Sequence, residues 1–183
     1  MSLKRYTIDG YGQIELNNVA FRRDGRIEAQ CKLDATDFAS VPAENGMLLA
    51  VDNVNRVVKF ATDASLPIAL HYSAEHIYNQ FTPGLKNFSL DRGTFLPRLG
   101  YLSVGDKFTT NTICYDTGVY ADDEALDTAL ESIGSTPMYG GFTSEGAIQV
   151  TAVKPVSGPV LKVVQVTTMP DGQFGLKFQV ISA

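Results

Sequence analysis

His71 and His76 are the only histidines in this chain of 183 residues, and they lie five positions apart. Zinc-binding pairs on one helix face need a spacing of four and a third ligand. Glu75 stands four after His71, but no further ligand set accompanies it, so neither a metal nor another cofactor is expected. Asp116-Thr117-Gly118 spells the tripeptide of aspartic proteases. That chemistry needs two carboxylates sharing one proton, so a single copy could work only in a dimer. The alternative is a plain turn ending a strand, where Asp and Gly are ordinary. Asp116, Asp122 and Asp123 could offer oxygen ligands to Ca²⁺, although the spacing of an EF-hand loop is missing. Gly140-Gly141-x-x-x-x-Gly146 lacks the Lys-Ser/Thr of a phosphate loop, and no Gly-x-Ser-x-Gly elbow occurs. No catalytic residue is assigned.

Two further side-chain sets bear on binding. Tyr11, Tyr101, Tyr115, Tyr120 and Tyr139 fall in or beside loops and could form a stacking platform for a glycan, or simply pack. Cys31 and Cys114 are the only cysteines. Cys31 falls on the apolar side of an alternating segment, and two unpaired buried thiols are expected, as in a reducing site of synthesis.

Charge is unevenly placed. Residues 1–33 hold six basic and four acidic side chains, whereas residues 34–183 hold nine basic and sixteen acidic ones. From Phe108 to Val153 there are seven acids and no Lys or Arg. Such a surface does not suit nucleic acid. Arg22, Arg23 and Arg26 sit in the basic segment and are the candidate contacts to an acidic protein partner. Met-Ser-Leu-Lys-Arg-Tyr at the start has no apolar h-region, and no apolar run approaches the roughly 18 residues of a membrane span. Synthesis in the cytoplasm without a membrane partner is expected.

The elements that must hold these groups read as strands and tight turns. Asp24-Gly25 and Asp171-Gly172 each precede a segment of period-two alternation, and each predicts a hairpin. Ile27, Ala29, Cys31 and Leu33 alternate after the first; Phe174, Leu176, Phe178 and Val180 after the second. Met47–Val51 and Arg56–Phe60 predict a third hairpin. Pro67 precedes a strand from Ile68 to Tyr72, and Ser73 could cap a helical turn reaching Gln80. Lys107–Tyr115 reads as one β-prone strand. Asp122 and Gly134 bracket one helix, with Ala125, Leu126, Ala129, Leu130 and Ile133 on one face and Asp123, Asp127 and Glu131 on the other. Gly140-Gly141 reads as a break before a strand from Ala147 to Val153. The fold expected is mainly β, a sandwich or barrel built from hairpins with one short surface helix near 122–134. Residues 1–40 would form an extended segment and hairpin able to serve as an attachment arm, and residues 41–183 a β-rich body.

Three stretches carry a resemblance: Glu44-Asn45-Gly46-Met47-Leu48-Leu49-Ala50-Val51-Asp52, Pro83-Gly84-Leu85-Lys86-Asn87-Phe88, and the run from Phe95-Leu96-Pro97-Arg98 to Thr110-Asn111. Together, over roughly residues 44–120, they resemble virion structural proteins of tailed bacteriophages, of the capsid decoration (cement) or head-fibre kind. The resemblance implies a non-enzymatic virion component that binds a lattice of major capsid protein and works as a trimer or dimer. It carries over no fixed functional residues. The alternatives are a head-fibre, tail or adhesin module binding a host surface glycan and, more remotely, a dimeric aspartic protease.

Overall fold

The computed structural model describes residues 2–75 and 84–183, and among them fourteen strands form two mixed sheets. In chain order the elements are β1 (Leu3–Arg5), β2 (Ile14–Asn18), α1 (Ala20–Asp24), β3 (Ile27–Glu28), β4 (Lys32–Leu33), β5 (Leu48–Asp52), β6 (Val57–Phe60) and β7 (Ile68–His71). They continue with β8 (Leu99–Gly100), β9 (Lys107–Thr110), β10 (Ile113–Asp116), α2 (Asp123–Leu130), β11 (Tyr139–Gly141), β12 (Ile148–Thr151), β13 (Val160–Thr168) and β14 (Phe174–Ser182). One sheet runs β1-β10-β12-β11-β13-β14-β9-β2 and the other β3-β8-β7-β5-β6-β4. The β10–β12 and β4–β6 pairs are parallel, and the other pairs are antiparallel.

The arrangement is a sandwich rather than a barrel. The larger sheet nevertheless curls strongly. Only Asn111 and Thr112 separate β9 from β10, yet these strands lie next to opposite ends of the sheet. Two residues span at most about 7 Å, so the two ends must approach each other. Buried hydroxyls stitch that junction. Thr110 donates to the Gln13 carbonyl at 2.6 Å, Thr112 donates to the Asn45 carbonyl, and Asn111 accepts from the Gln13 amide at 2.7 Å. The single strand read from Lys107 to Tyr115 is therefore two.

Met47–Val51 is apolar at every position because both faces are covered. Leu48 and Ala50 enter the main core with Phe108, Ile113, Leu161, Phe178 and Val180. Met47, Leu49 and Val51 enter a second core on the other side of the smaller sheet, with Leu33, Phe38, Ala43 and Leu90. Segment 34–45 thus roofs the smaller sheet, and the division expected at residues 40–41 falls within that roof. Asp34 holds its turn by accepting from Thr36 and Asp37, and Asp37 accepts from the Phe60 amide at 2.7 Å.

The two Asp-Gly signals part company. Asp171-Gly172 does turn a hairpin: β13 and β14 pair along their length, and Leu176, Phe178 and Val180 are buried. Asp24-Gly25 does not. Residues 20–24 form α1, and Gly25 takes φ +70° as its left-handed cap. The glycine satisfies the same backbone requirement at a helix end instead of a hairpin tip. The following alternation is also split between neighbours, because β3 pairs with β8 whereas β4 pairs with β6. Glu28 breaks the strand between them by accepting from the Gln30 and Cys31 amides. Ile27 and Ala29 are exposed, while Cys31 and Leu33 are buried. Among residues 2–40, β1 and β2 join the larger sheet and β3 and β4 the smaller, so the segment expected as an attachment arm is built into the sandwich.

Elsewhere the expectations are met with shifted limits. The β5–β6 hairpin and β7 form as read. Helix α2 starts on Asp122, whose carboxylate accepts from the Ala125 amide at 2.9 Å. It ends at Leu130, four residues before Gly134. Gly140 and Gly141 are not a break but lie in β11. A Cβ at Gly140 would stand 2.7 Å from Ile148 and 3.0 Å from Phe178, so packing excludes any side chain. The helical turn expected from Ser73 to Gln80 lies mostly outside the described residues, as does His76.

Candidate functional site

A cleft of about 1160 Å³ opens at one margin of the sandwich. One wall is the Tyr101–Val104 segment, which leaves β8 toward the turn before β9. The Lys154–Pro159 loop between β12 and β13 also lines the cleft, as do Leu66, Pro67 and Ile68. Loop geometry shapes both segments. Gly105 at φ +96° and Gly158 at φ +66° each adopt the conformation that favours glycine. Asp106, itself buried, accepts from the Ser103 amide at 2.9 Å and from the Ala20 amide at 2.8 Å. It thereby fixes the 103–106 turn and the start of α1 together.

The cleft combines apolar tips with positive charge. Val104 is 69% exposed and Val156 is fully exposed at its lip. Arg26 and Lys154 line it, together with the hydroxyl-bearing Ser103, Ser157 and Ser182. Arg26 donates to Ser103 Oγ at 2.6 Å, which ties its guanidinium to a second lining residue. Two exposed valines beside two cations, on a chain with net charge −5, suit a protein surface with apolar pockets and carboxylates.

Of the three arginines singled out from sequence, only Arg26 lines this cleft. Arg22 pairs with Glu75 at 3.0 Å, and Arg23 pairs with its neighbour Asp24 at 2.9 Å. Adjacent residues on a helix diverge by about 100°, so Arg22 and Arg23 cannot share one direction. Lys154, Val104 and Val156 were not distinguished by residue type. The Pro/Gly-rich run Lys154-Pro155-Val156-Ser157-Gly158-Pro159 signals only a loop, and its sharing of one cleft with Val104 is a tertiary fact.

The other candidates are held by local or core contacts. Asp116 accepts from the Gly118 amide at 3.0 Å, a turn at the end of β10. Asp122 caps α2. Asp123 accepts from Tyr115 Oη at 2.6 Å and from the Thr7 amide at 3.1 Å, and lies 3.6 Å from Lys4 Nζ. Burial would raise its pKa, but these donors outweigh it and hold the carboxyl below its ordinary value. Asp123 therefore faces β1, and Asp127 accepts from Tyr6 Oη just past it, instead of both lining the solvent side of the helix. Among the described residues no His, Cys, Asp or Glu cluster is arranged to hold a metal ion. Tyr115 and Tyr120 are buried and meet edge to face at 6.3 Å, so neither offers an open ring face to a glycan, while Tyr11 is 37% exposed. Cys31 and Cys114 are free and buried, as expected.

One chemically suggestive contact was invisible in the sequence. His71 Nε2 lies 2.6 Å from Ser73 Oγ, and Nδ1 lies 2.7 Å from the Glu44 carbonyl. This is the hydrogen-bond order of a nucleophile, a base and an orienting acceptor. However, His71 has no exposed surface, and burial drives its pKa down to about 4 despite the Glu44 bond. Ser73 Oγ also accepts from the Arg98 amide at 2.9 Å. The neutral ring donates to Glu44 and accepts from Ser73, locking three chain segments together.

No protein-family model, no curated protein and no solved structure matches this chain. The class of protein is therefore defined by its own geometry: a two-sheet β-sandwich with a basic, valine-lipped cleft. Among the described residues no helix is long and apolar enough to cross a membrane.

Proposed function

We propose that this chain is a non-enzymatic structural protein of a bacteriophage virion. In this reading it is of the capsid decoration kind, made in the host cytoplasm and bound as a homo-oligomer to neighbouring subunits of a major capsid protein. The observation that carries the reading is the cleft with Val104, Val156, Arg26 and Lys154 exposed together on an otherwise acidic molecule. The resemblance over residues 44–120 points the same way. So does the use of His71, Asp116, Asp122 and Asp123 in holding the fold together.

The mechanism is passive. Apolar area buried across capsid subunits, with Arg26 and Lys154 drawn to capsid carboxylates, stabilises the assembled shell by mass action. Arg22 and Arg23, each already paired with a carboxylate of this chain, add little to that attraction, which salt weakens. The test is co-sedimentation with expanded capsids of the phage whose genome carries this chain. Saturable binding that weakens with salt and falls in an Arg22→Ala/Arg23→Ala/Arg26→Ala variant supports the proposal. Absence of binding by the wild type, or a triple variant with unchanged affinity and salt dependence, overturns the corresponding part.

A further inference from the structure

Among the described residues, the larger sheet carries an open edge in its interior. β13 pairs with β14 from Val160 to Thr168, but β11 reaches only Leu161 and Lys162 on its other side. The Val163 amide donates to the Met138 carbonyl at 2.9 Å, and that ends the contact with the β11 segment. From Val164 to Thr168 no second strand pairs with β13 among the described residues. The sequence there is Val-Gln-Val-Thr-Thr: β-prone, uncharged and free of proline. Proteins usually blunt such edges with Lys, Pro, a bulge or a covering segment; here a register shift against β14 leaves Val164 bulged at the start of the edge, and Gln165–Thr168 pair regularly with β14. Here Val164 and Val166 are 37% and 40% exposed.

Beside this edge runs a groove of about 460 Å³ between α2 and the β13–β14 hairpin. Leu130, Ile133, Val166 and Phe174 make it apolar, and Asp127 and Glu131 line it with carboxylates. Its helix side, from Asp127 to Ile133, belongs to the stretch Phe108–Val153, which has no Lys or Arg. Strands in a sheet sit about 4.8 Å apart, and five residues of edge extend about 17 Å. We propose that the Val164–Thr168 edge accepts an extended segment of a partner protein as an added strand, with alternating apolar and basic side chains. Backbone hydrogen bonds to β13 supply affinity, apolar side chains fill the groove beside Ile133 and Phe174, and basic ones meet Glu131. A second copy of this chain fits less well, because pairing two such edges brings one acidic α2 against another.

The probe is a fluorescein-labelled peptide, acetyl-Lys-Val-Lys-Val-Lys-Val-Lys-amide, titrated into the full chain by anisotropy. Saturable binding is expected, weakened roughly tenfold or more by Val166→Lys and by N-methylating alternate peptide amides. N-methylation leaves the peptide charge intact and uses wild-type protein, so it decides the matter even if Val166→Lys does not fold. Three outcomes overturn the proposal. One is equal binding of the N-methylated peptide, which means charge attraction alone. Another is no saturable binding up to about 1 mM. The last is a wild-type dimer that Val166→Lys converts to monomer while the peptide fails to compete, which assigns the edge to a second copy. None of these depends on the capsid reading.

Discussion

Tyr6 Oη donates to Asp127 across 121 positions of sequence, at 3.1 and 3.0 Å from its two carboxylate oxygens. The bond fastens α2 to the chain just past β1. Tyr6 also stacks on Phe174 of β14 at 4.4 Å between ring centroids. One side chain therefore ties the N-terminal strand, the helix and the C-terminal hairpin together.

Tyr6→Phe keeps the ring stack and removes the donor, leaving Asp127 partly buried and short of a partner. A loss of about 1–2 kcal/mol at neutral pH is expected in urea unfolding. Burial already holds the Asp127 carboxyl above its ordinary 3.8, against the lowering effect of Tyr6. A carboxyl with a raised folded pKa costs stability above that pKa and stops doing so as pH falls through it. The deficit of Tyr6→Phe should therefore shrink on acidification. A deficit that grows instead would show that Asp127 is not the group responsible.

His71 gives stability the opposite pH dependence. Its folded pKa, held near 4 by burial, lies below its ordinary 6.5. Its contribution is fully present above 6.5 and is lost as pH falls from 6.5 toward 4, because the unfolded chain takes up the proton first. A loss of about 2 kcal/mol between about pH 7 and about pH 5 follows from that gap. His71→Gln should be less stable at neutral pH and should lack most of this slope. Urea midpoints at the two pH values provide the check.

Gly140→Ala places a methyl group against Ile148, Phe178 and Leu161, all of them buried core side chains. Overpacking at a central strand should cost about 1–3 kcal/mol. Gly172→Ala meets no atom within 4 Å, yet φ is +87° there. It should lose about 1 kcal/mol through backbone strain alone. Calorimetric melting of both variants separates crowding from strain.

Neither thiol should react in the native protein. Cys114 is buried and its pKa is pushed up to about 12, while burial also raises that of Cys31. The thiolate is the reactive form. A colorimetric thiol assay at mildly alkaline pH should release no fast signal until urea is added, and then two equivalents. A rapid native equivalent would locate an opening fluctuation at one of these sites.

The residues by themselves determined much of the C-terminal half. Alternation in Phe174–Val180 and the Asp171-Gly172 turn define β14 and its hairpin because turn and strand are local in sequence. Asp122 marked the start of α2 for the same reason. The apolar run Met47–Val51 announced a strand, but only the two flanking cores explain why it has no polar face. Asp24-Gly25 shows where local information stopped. It required a left-handed glycine, which either a hairpin tip or a helix end supplies. The start of α1 is bound by Asp106, 86 positions away, and Glu28 divides the strand that follows between partners in the smaller sheet. The sharing of one cleft by Val104, Lys154 and Val156, and the edge of β13 left unpaired among the described residues, were likewise decided by tertiary structure. Both depend on which strands become neighbours, and that choice is set by long-range packing rather than by any residue's own preference.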